Sequence, residues 1–487
     1  MKIRRAFALL LSLCWLSAPS LAQRKFEPTI ESLQRRRLPS WFDGAKLGVL
    51  VTYGLFSVPA FAPPSGELGK VDFKVWFLQN PYAEWYENSM KIKESPTWKY
   101  HVERYGEGFA YADFIPLFQR ESRRWKPEEW ARLFADAGIR YAVLTSKFAD
   151  GYPMWPTAVK HPKLKVDHLA AERDYVGEFT QAIRAGGLKV GLYYSGGMDW
   201  AFVPEPVRTF PDVFKTIPQS AEYVKVADAH WRELLARYDP DILWNDISYP
   251  KAGDARGIIA DFYNRKSDGV VNNRFGLAWA DYTTPEYARM SRITMKKWET
   301  CRGLGYSFGY NQAEGPEHLL SGDQLVDLVA DIVSKNGNLM IGIGPAADGS
   351  ISELQRQRLR ALGAWLRING EAIYGTRPWV GAEGRTSDGG RVRFTRKGDA
   401  VYALVLDPPK SAAITIEALV AGEGSTVTLL GAKGNLTWAQ RGTSLEIRLP
   451  EDVAPSEAYA IRISPLPYKL VRDSEVDYQP PQGLSPF

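Results

Sequence analysis

Four times between residues 130 and 343 an amphipathic helical pattern is followed by a short run that is apolar along its whole length. Trp130, Leu133, Phe134 and Ala137 fall at i, i+3, i+4 and i+7, Gly138 stops the helix, and Tyr141–Thr145 follows. Val176, Phe179 and Ile183 mark the next helix, ended by Gly186-Gly187, before Leu188–Tyr194. Val224, Ala227, Trp231, Leu234 and Tyr238 mark another, closed by Asp239-Pro240, before Asp241–Asp246. Ser321 caps a helix carrying Leu325, Leu328, Val329 and Ile332, and Asn338–Ile343 comes after it. Strands of this kind are buried on both faces, so the repeated unit predicts a parallel sheet covered by helices. A closed barrel and a doubly wound sheet both fit. No glycine-rich phosphate loop follows the first strand, and Gly303-Leu304-Gly305 lacks the lysine and helix of a phosphate-binding loop, so the nucleotide-binding alternative loses support.

The texture changes after the helix around Leu354–Ile368. Arg391–Arg396, Ala400–Leu406, Ala413–Glu417, Thr426–Leu430, Leu445–Leu449 and Ala458–Ile463 are short β-type runs separated by Gly, Pro, Asp and Lys. They predict a small antiparallel β-sandwich over 380–465, with a loosely ordered, proline-rich tail over 466–487. At the other end, Lys2, Arg4 and Arg5 precede the apolar run Ala6 to Leu16, and Ser20-Leu21-Ala22 has the small-x-small form of a cleavage site. Residues 1–22 are therefore expected to be a signal peptide, by the Sec or twin-arginine route, leaving a periplasmic or extracellular protein with no stable membrane insertion. The run is too short to span a bilayer comfortably. Cys14 would leave with the signal, so Cys301 has no partner for an intramolecular disulfide.

At 45% hydrophobic and 24% charged, the 487 residues have the balance of a globular enzyme. The net charge is +5, but three of the positive charges lie in the first five residues and the rest are interspersed with acids, which is no nucleic-acid footprint. His101, His161, His168, His230 and His318 show no spacing that places two on one helical face, so neither a metal nor a cofactor is expected.

In a parallel barrel the chemistry lies where strands end. Asp246 closes the strand Ile242-Leu243-Trp244-Asn245, next to an indole able to stack on a sugar face. Taken alone, it serves equally as the N-cap of the next helix. Glu299, in Lys297-Trp298-Glu299-Thr300, is the second carboxylate candidate, with a surface ion pair as its ordinary alternative. Glycoside hydrolysis needs such a pair, one carboxylate ionised and one protonated.

Trp41–Gly48 (WFDGAKLG), Gly54–Ala60 (GLFSVPA), Glu84-Trp85-Tyr86, Leu144–Lys147 (LTSK), Gly191–Trp200 (GLYYSGGMDW), Leu243–Ile247 (LWNDI), Trp298–Asn311 (WETCRGLGYSFGYN) and Asn338–Pro345 stand in this order. The series resembles the α-L-fucosidase family, glycoside hydrolase family 29, over roughly residues 35–375. The resemblance implies a (β/α)8-like barrel over 23–375 and a retaining exo-glycosidase acting on an oligosaccharide or glycoconjugate. It implies Asp246 as nucleophile and Glu299 as acid/base. Sugar contacts would fall to Glu84, Trp85, Tyr193 or Tyr194, Trp244 and Trp298, with Arg289 or Arg274 assisting. Asp199 also ends its strand near the cleft, with capping as its ordinary alternative.

The departures fall together. The family typically reads Ile-His-Trp-Gly where this chain has Val51-Thr52-Tyr53-Gly54, and Lys-His-His-Asp-Gly-Phe where it has Lys147-Phe148-Ala149-Asp150-Gly151-Tyr152. Thr52, Phe148 and Ala149 thus replace three histidines that would line a fucose pocket. Three readings follow: a fucosidase with a repacked pocket, a hydrolase of the same mechanism for another sugar, or a catalytically silent carbohydrate-binding protein. A filled apolar wall near these positions would disfavour fucose.

Overall fold

The computed structural model describes residues 25–163 and 171–470, apart from positions 408, 410, 452 and 454. The expected signal peptide, His168 and residues 471–487 of the expected tail lie outside the described residues. The four helix–strand units form as the periodicity predicts. Seven strands make one sheet: β1 (Leu47–Val51), β2 (Tyr141–Lys147), β3 (Lys189–Ser195), β4 (Ile242–Asp246), β5 (Val270–Val271), β6 (Trp298–Gly303) and β7 (Gly337–Ile343). Their order is β5-β4-β3-β2-β1-β7-β6, with every neighbouring pair parallel.

The two outer strands do not end in open edges. Tyr282 bridges Asn272 just beyond β5, while Thr283 and Glu286 bridge Trp298 and Cys301 of β6, all in parallel sense. The segment from Tyr282 to Glu286 thus fills the eighth place of a (β/α)8-like barrel. It carries no continuous ladder, and Pro285 has no N–H to give one. Strand alternation then sorts the side chains. Tyr193, Trp244, Asp246, Glu299 and Cys301 face the barrel axis. Tyr194 and Trp298 face the helices: the Tyr194 hydroxyl meets His230 Nδ1 at 3.0 Å, and Trp298 Nε1 donates to the Lys335 carbonyl at 3.0 Å.

The C-terminal domain has a five-stranded antiparallel sheet (Arg377–Arg385, Arg391–Lys397, Ala400–Val405, Thr426–Leu429, Tyr459–Ser464) and a three-stranded one (Ala413–Ile416, Thr437–Arg441, Ser444–Arg448). Val401, Ala403, Ile416, Val427, Ile447 and Ile461 form its core. The opposite face of the strand Ala400–Val405, carrying Ala400, Tyr402 and Leu404, joins the barrel's core. Arg393 pairs with Asp331 at 2.8 Å, and Trp365 Nε1 donates to the Ala458 carbonyl at 2.9 Å, so the sandwich is fixed against helices Gly322–Ser334 and Glu353–Asn369. Tyr468–Lys469 pairs with Leu419–Val420, inside the stretch expected to be loose. Among the described residues, no helix is long and apolar enough to cross a membrane.

Candidate active site

A narrow cavity of about 40 Å³ opens at the C-terminal end of the sheet, lined by residues of the strands and of the segments that follow them, including Thr52, Glu84, Trp85, Phe148, Tyr193, Trp244, Asp246 and Glu286. Asp246 is the last residue of β4, and the chain turns sharply after it. Ile247 and Ser248 have φ of 55° and 69°, a left-handed conformation that costs a β-branched residue about 1–3 kcal/mol. The turn is tied down from below: Asn245 Nδ2 donates to the Ser248 carbonyl at 2.7 Å and to the Arg274 carbonyl at 2.9 Å. Gly197 packs so close that a Cβ there would meet the Ile247 carbonyl oxygen at 1.5 Å. The strained turn aims the carboxylate inward, where three donors meet it. Arg274 Nη1 and the Ile247 N–H reach Oδ1 at 2.7 and 2.9 Å, and the Tyr193 hydroxyl reaches Oδ2 at 2.6 Å. Asp246 caps no helix; Asp254 caps the next one.

Arg274 organises the site. Its side chain is 1% exposed, and its Nε and Nη2 donate to the Thr284 hydroxyl and carbonyl, both at 2.8 Å. Its Nη1 also reaches Glu286 Oε1 at 3.0 Å. Burial works against its charge, but Asp246 and Glu286 outweigh that and raise its pKa. The guanidinium carbon lies 4.6 Å from the centre of the Trp244 ring, which itself stacks beside Tyr193. Because one nitrogen holds both carboxylates, their nearest oxygens are at most about 5.7 Å apart. Burial, and after it the Asp246 charge, push Glu286 up, against the pull of Arg274. Glu84 lies in the same cavity. Its Oε2 accepts from the Gly309 N–H at 2.9 Å and the Ser307 hydroxyl at 3.2 Å, and burial pushes it up to about 7.

Several expected site residues stand elsewhere. Glu299 is wholly buried beneath the cavity, with its oxygens taken by the Tyr141 hydroxyl and by Trp244 Nε1 at 3.2 Å, so it cannot reach a glycosidic oxygen from there. Tyr194 and Trp298 are turned outward by strand alternation. Arg289 lies on the surface, 3.3 Å from Asp327. Asp199 pairs with Lys147 at 2.9 Å and is held below the usual carboxylate range, burial being outweighed chiefly by that lysine. Glu84, Trp85, Tyr193, Trp244, Asp246, Thr52 and Phe148 all line the cavity. Phe148 makes an apolar wall, edge-on to Phe56 at 5.5 Å and near-parallel to Tyr193 at 6.0 Å; Ala149 is buried behind it. The Thr52 hydroxyl is buried at the cavity without a hydrogen-bond partner. Glu286 is the residue that the sequence reading missed. The available signal was a shortfall: a closed barrel needs an eighth strand between Val271 and Trp298, and Thr283-Thr284-Pro285-Glu286 stands in that gap.

A family model for α-L-fucosidase matches residues 13–371, and one for the α-L-fucosidase C-terminal domain matches residues 387–464. This chain belongs to the α-L-fucosidase family. Relatives include an α-L-fucosidase of Branchiostoma floridae, 34% identical over 91% of this chain and 95% of that one, and human tissue α-L-fucosidase, 32% identical over 94% and 97%. The solved structure of a Thermotoga maritima α-fucosidase in complex with a mechanism-based inhibitor superposes with a TM-score of 0.83, at 42% identity, covering 90% of this chain and all of that one. The barrel and sandwich are thus those of an α-L-fucosidase-family glycoside hydrolase. Among the described residues no group of His, Cys, Asp and Glu is arranged to hold a metal ion.

Proposed function

We propose that this chain is an exported, retaining exo-glycosidase that releases a terminal α-L-fucosyl or closely related sugar from a glycan. The observation that carries the reading is the bridge from Arg274 Nη1 to both Asp246 and Glu286. Asp246 attacks the anomeric carbon while Glu286, its pKa raised by burial, protonates the leaving oxygen; Glu286 then takes a proton from the water that frees the sugar. Trp85 and Trp244 supply aromatic surface, and Glu84 a hydrogen-bonding edge. Paired carboxylates this close to one arginine favour chemistry over silent binding.

A second reading, the same hydrolysis of a sugar other than fucose, is favoured by one observation: the Phe148 wall offers no hydrogen bond to a hydroxyl. A panel of aryl glycosides, α-L-fucoside included, tested against wild type and Asp246→Ala, separates the readings. Activity surviving in Asp246→Ala would remove Asp246 from the mechanism, and the preferred glycoside names the sugar.

A further inference from the structure

Glu299 occupies a position that sugar chemistry does not explain. It is fully buried in the barrel interior, one layer below the cavity, and both of its oxygens are engaged. One accepts from Tyr141, whose ring crosses β1 over Gly48; a Cβ at that glycine would lie 2.0 Å from the ring. The other accepts from Trp244 Nε1, and an indole N–H has no second way to be satisfied once buried. The face of that indole carries the Arg274 guanidinium, which holds Asp246 and Glu286.

We propose that Glu299 is a positioning residue: by holding Trp244 Nε1 it sets the indole plane on which Arg274 rests, and so the spacing of the Asp246–Glu286 pair. This rests on the assignment of that pair above. The role requires an acceptor rather than a charge. Burial pushes Glu299 up to about 7, and the neutral acid still presents an acceptor oxygen to Trp244 Nε1, while the Asn338 side chain also hydrogen-bonds Tyr141. Asn338 is paired with Glu299 in the β6–β7 register.

The test compares Glu299→Gln, Glu299→Leu and Trp244→Phe with Glu286→Gln and Asp246→Ala, on an aryl glycoside that the wild type hydrolyses. In Glu299→Gln the amide oxygen accepts from the indole and its NH₂ donates to Tyr141, so kcat and the pH profile stay at wild-type values. Glu299→Leu loses the acceptor, and kcat falls about 10–100-fold with KM nearly unchanged, the mark of a pair held slightly out of place. Trp244→Phe shows the same kcat loss, and the double variant Glu299→Leu/Trp244→Phe loses no more than either single one. If Glu299→Leu does not fold, Trp244→Phe with and without Glu299→Gln carries the comparison: the two must match. A Glu299→Gln variant as inactive as Glu286→Gln would overturn the proposal, as would a fully active Glu299→Leu or additive losses in the double variant. Activity persisting in Asp246→Ala and Glu286→Gln would instead bring down the reading of the pair, and the proposal with it.

Discussion

Arg274 Nη1 lies 2.7 Å from Asp246 Oδ1, and the same nitrogen lies 3.0 Å from Glu286 Oε1. One donor group therefore sets the distance between two carboxylates. Lysine can offer a charge here but not three nitrogens in a planar fork, nor a flat face for Trp244. Arg274→Lys is expected to lower kcat/KM at least ~100-fold while the protein stays folded. A variant within a few fold of wild type would show that the bridge is incidental.

In the mechanism proposed above, the proton on Glu286 gives the pH profile its basic side. Its pKa is raised first by burial and then by the Asp246 charge, and the acid is lost as pH rises through that raised value. kcat/KM is expected to fall on that side in wild type, and Glu286→Gln to lose this limb along with most of its activity. Glu84 titrates nearby, at about 7. Glu84→Gln should raise KM but keep the basic limb; a limb that vanishes in Glu84→Gln would move the acid role to that residue.

Phe148 tests the sugar preference. Its ring lines the cavity and is supported by Phe56 and by Trp200 at 6.1 Å. Phe148→His would place a hydrogen-bonding group on the apolar wall, as in the family motif that the sequence resembles. The expected outcome is a gain of about tenfold or more in kcat/KM for aryl α-L-fucoside relative to the wild type's preferred glycoside, from one restored hydrogen bond. An unchanged ratio would mean that this wall does not read the sugar.

At the other end of the barrel, Lys46 is buried with its Nζ 3.9 Å from Asp43 and without a hydrogen bond. Asp43 is already engaged by Lys297 at 3.1 Å and Arg377 at 2.9 Å. Burial, and next the Lys297 charge, push Lys46 down to about 6 from an ordinary 10.5. Between those values the folded chain binds fewer protons than the unfolded one, so this group makes stability rise with pH across that window. Lys46→Met is expected to raise Tm by roughly 1–3 °C near pH 6 and by less near pH 9. A lower Tm at both pH values would show that the amine is needed where it lies.

Much of the fold was legible because period and punctuation agree: Gly138, Gly186-Gly187 and Asp239-Pro240 each end an amphipathic run just before a strand. Asp246 was legible for the same reason, as a polar residue closing an apolar strand. Glu299 was misplaced because its sequence neighbourhood looks like that of Asp246, while register puts it in the second position of β6 instead of the last. Choosing between Tyr193 and Tyr194, or judging Trp298, needs the same register, since one residue of slip exchanges the inside and outside of a strand. Glu286 sits in a segment without periodicity, and only ring closure places it against Asp246.

The most direct measurement of the central claim is azide rescue, followed by NMR assignment of the product. With an activated aryl glycoside, Glu286→Ala should be slow, should be accelerated by sodium azide, and should yield a glycosyl azide of the substrate's own anomeric configuration. Asp246→Ala should give the opposite configuration, since azide then replaces the nucleophile itself. Azide acceleration confined to Glu299→Ala, or the same configuration from both Glu286→Ala and Asp246→Ala, would contradict the account.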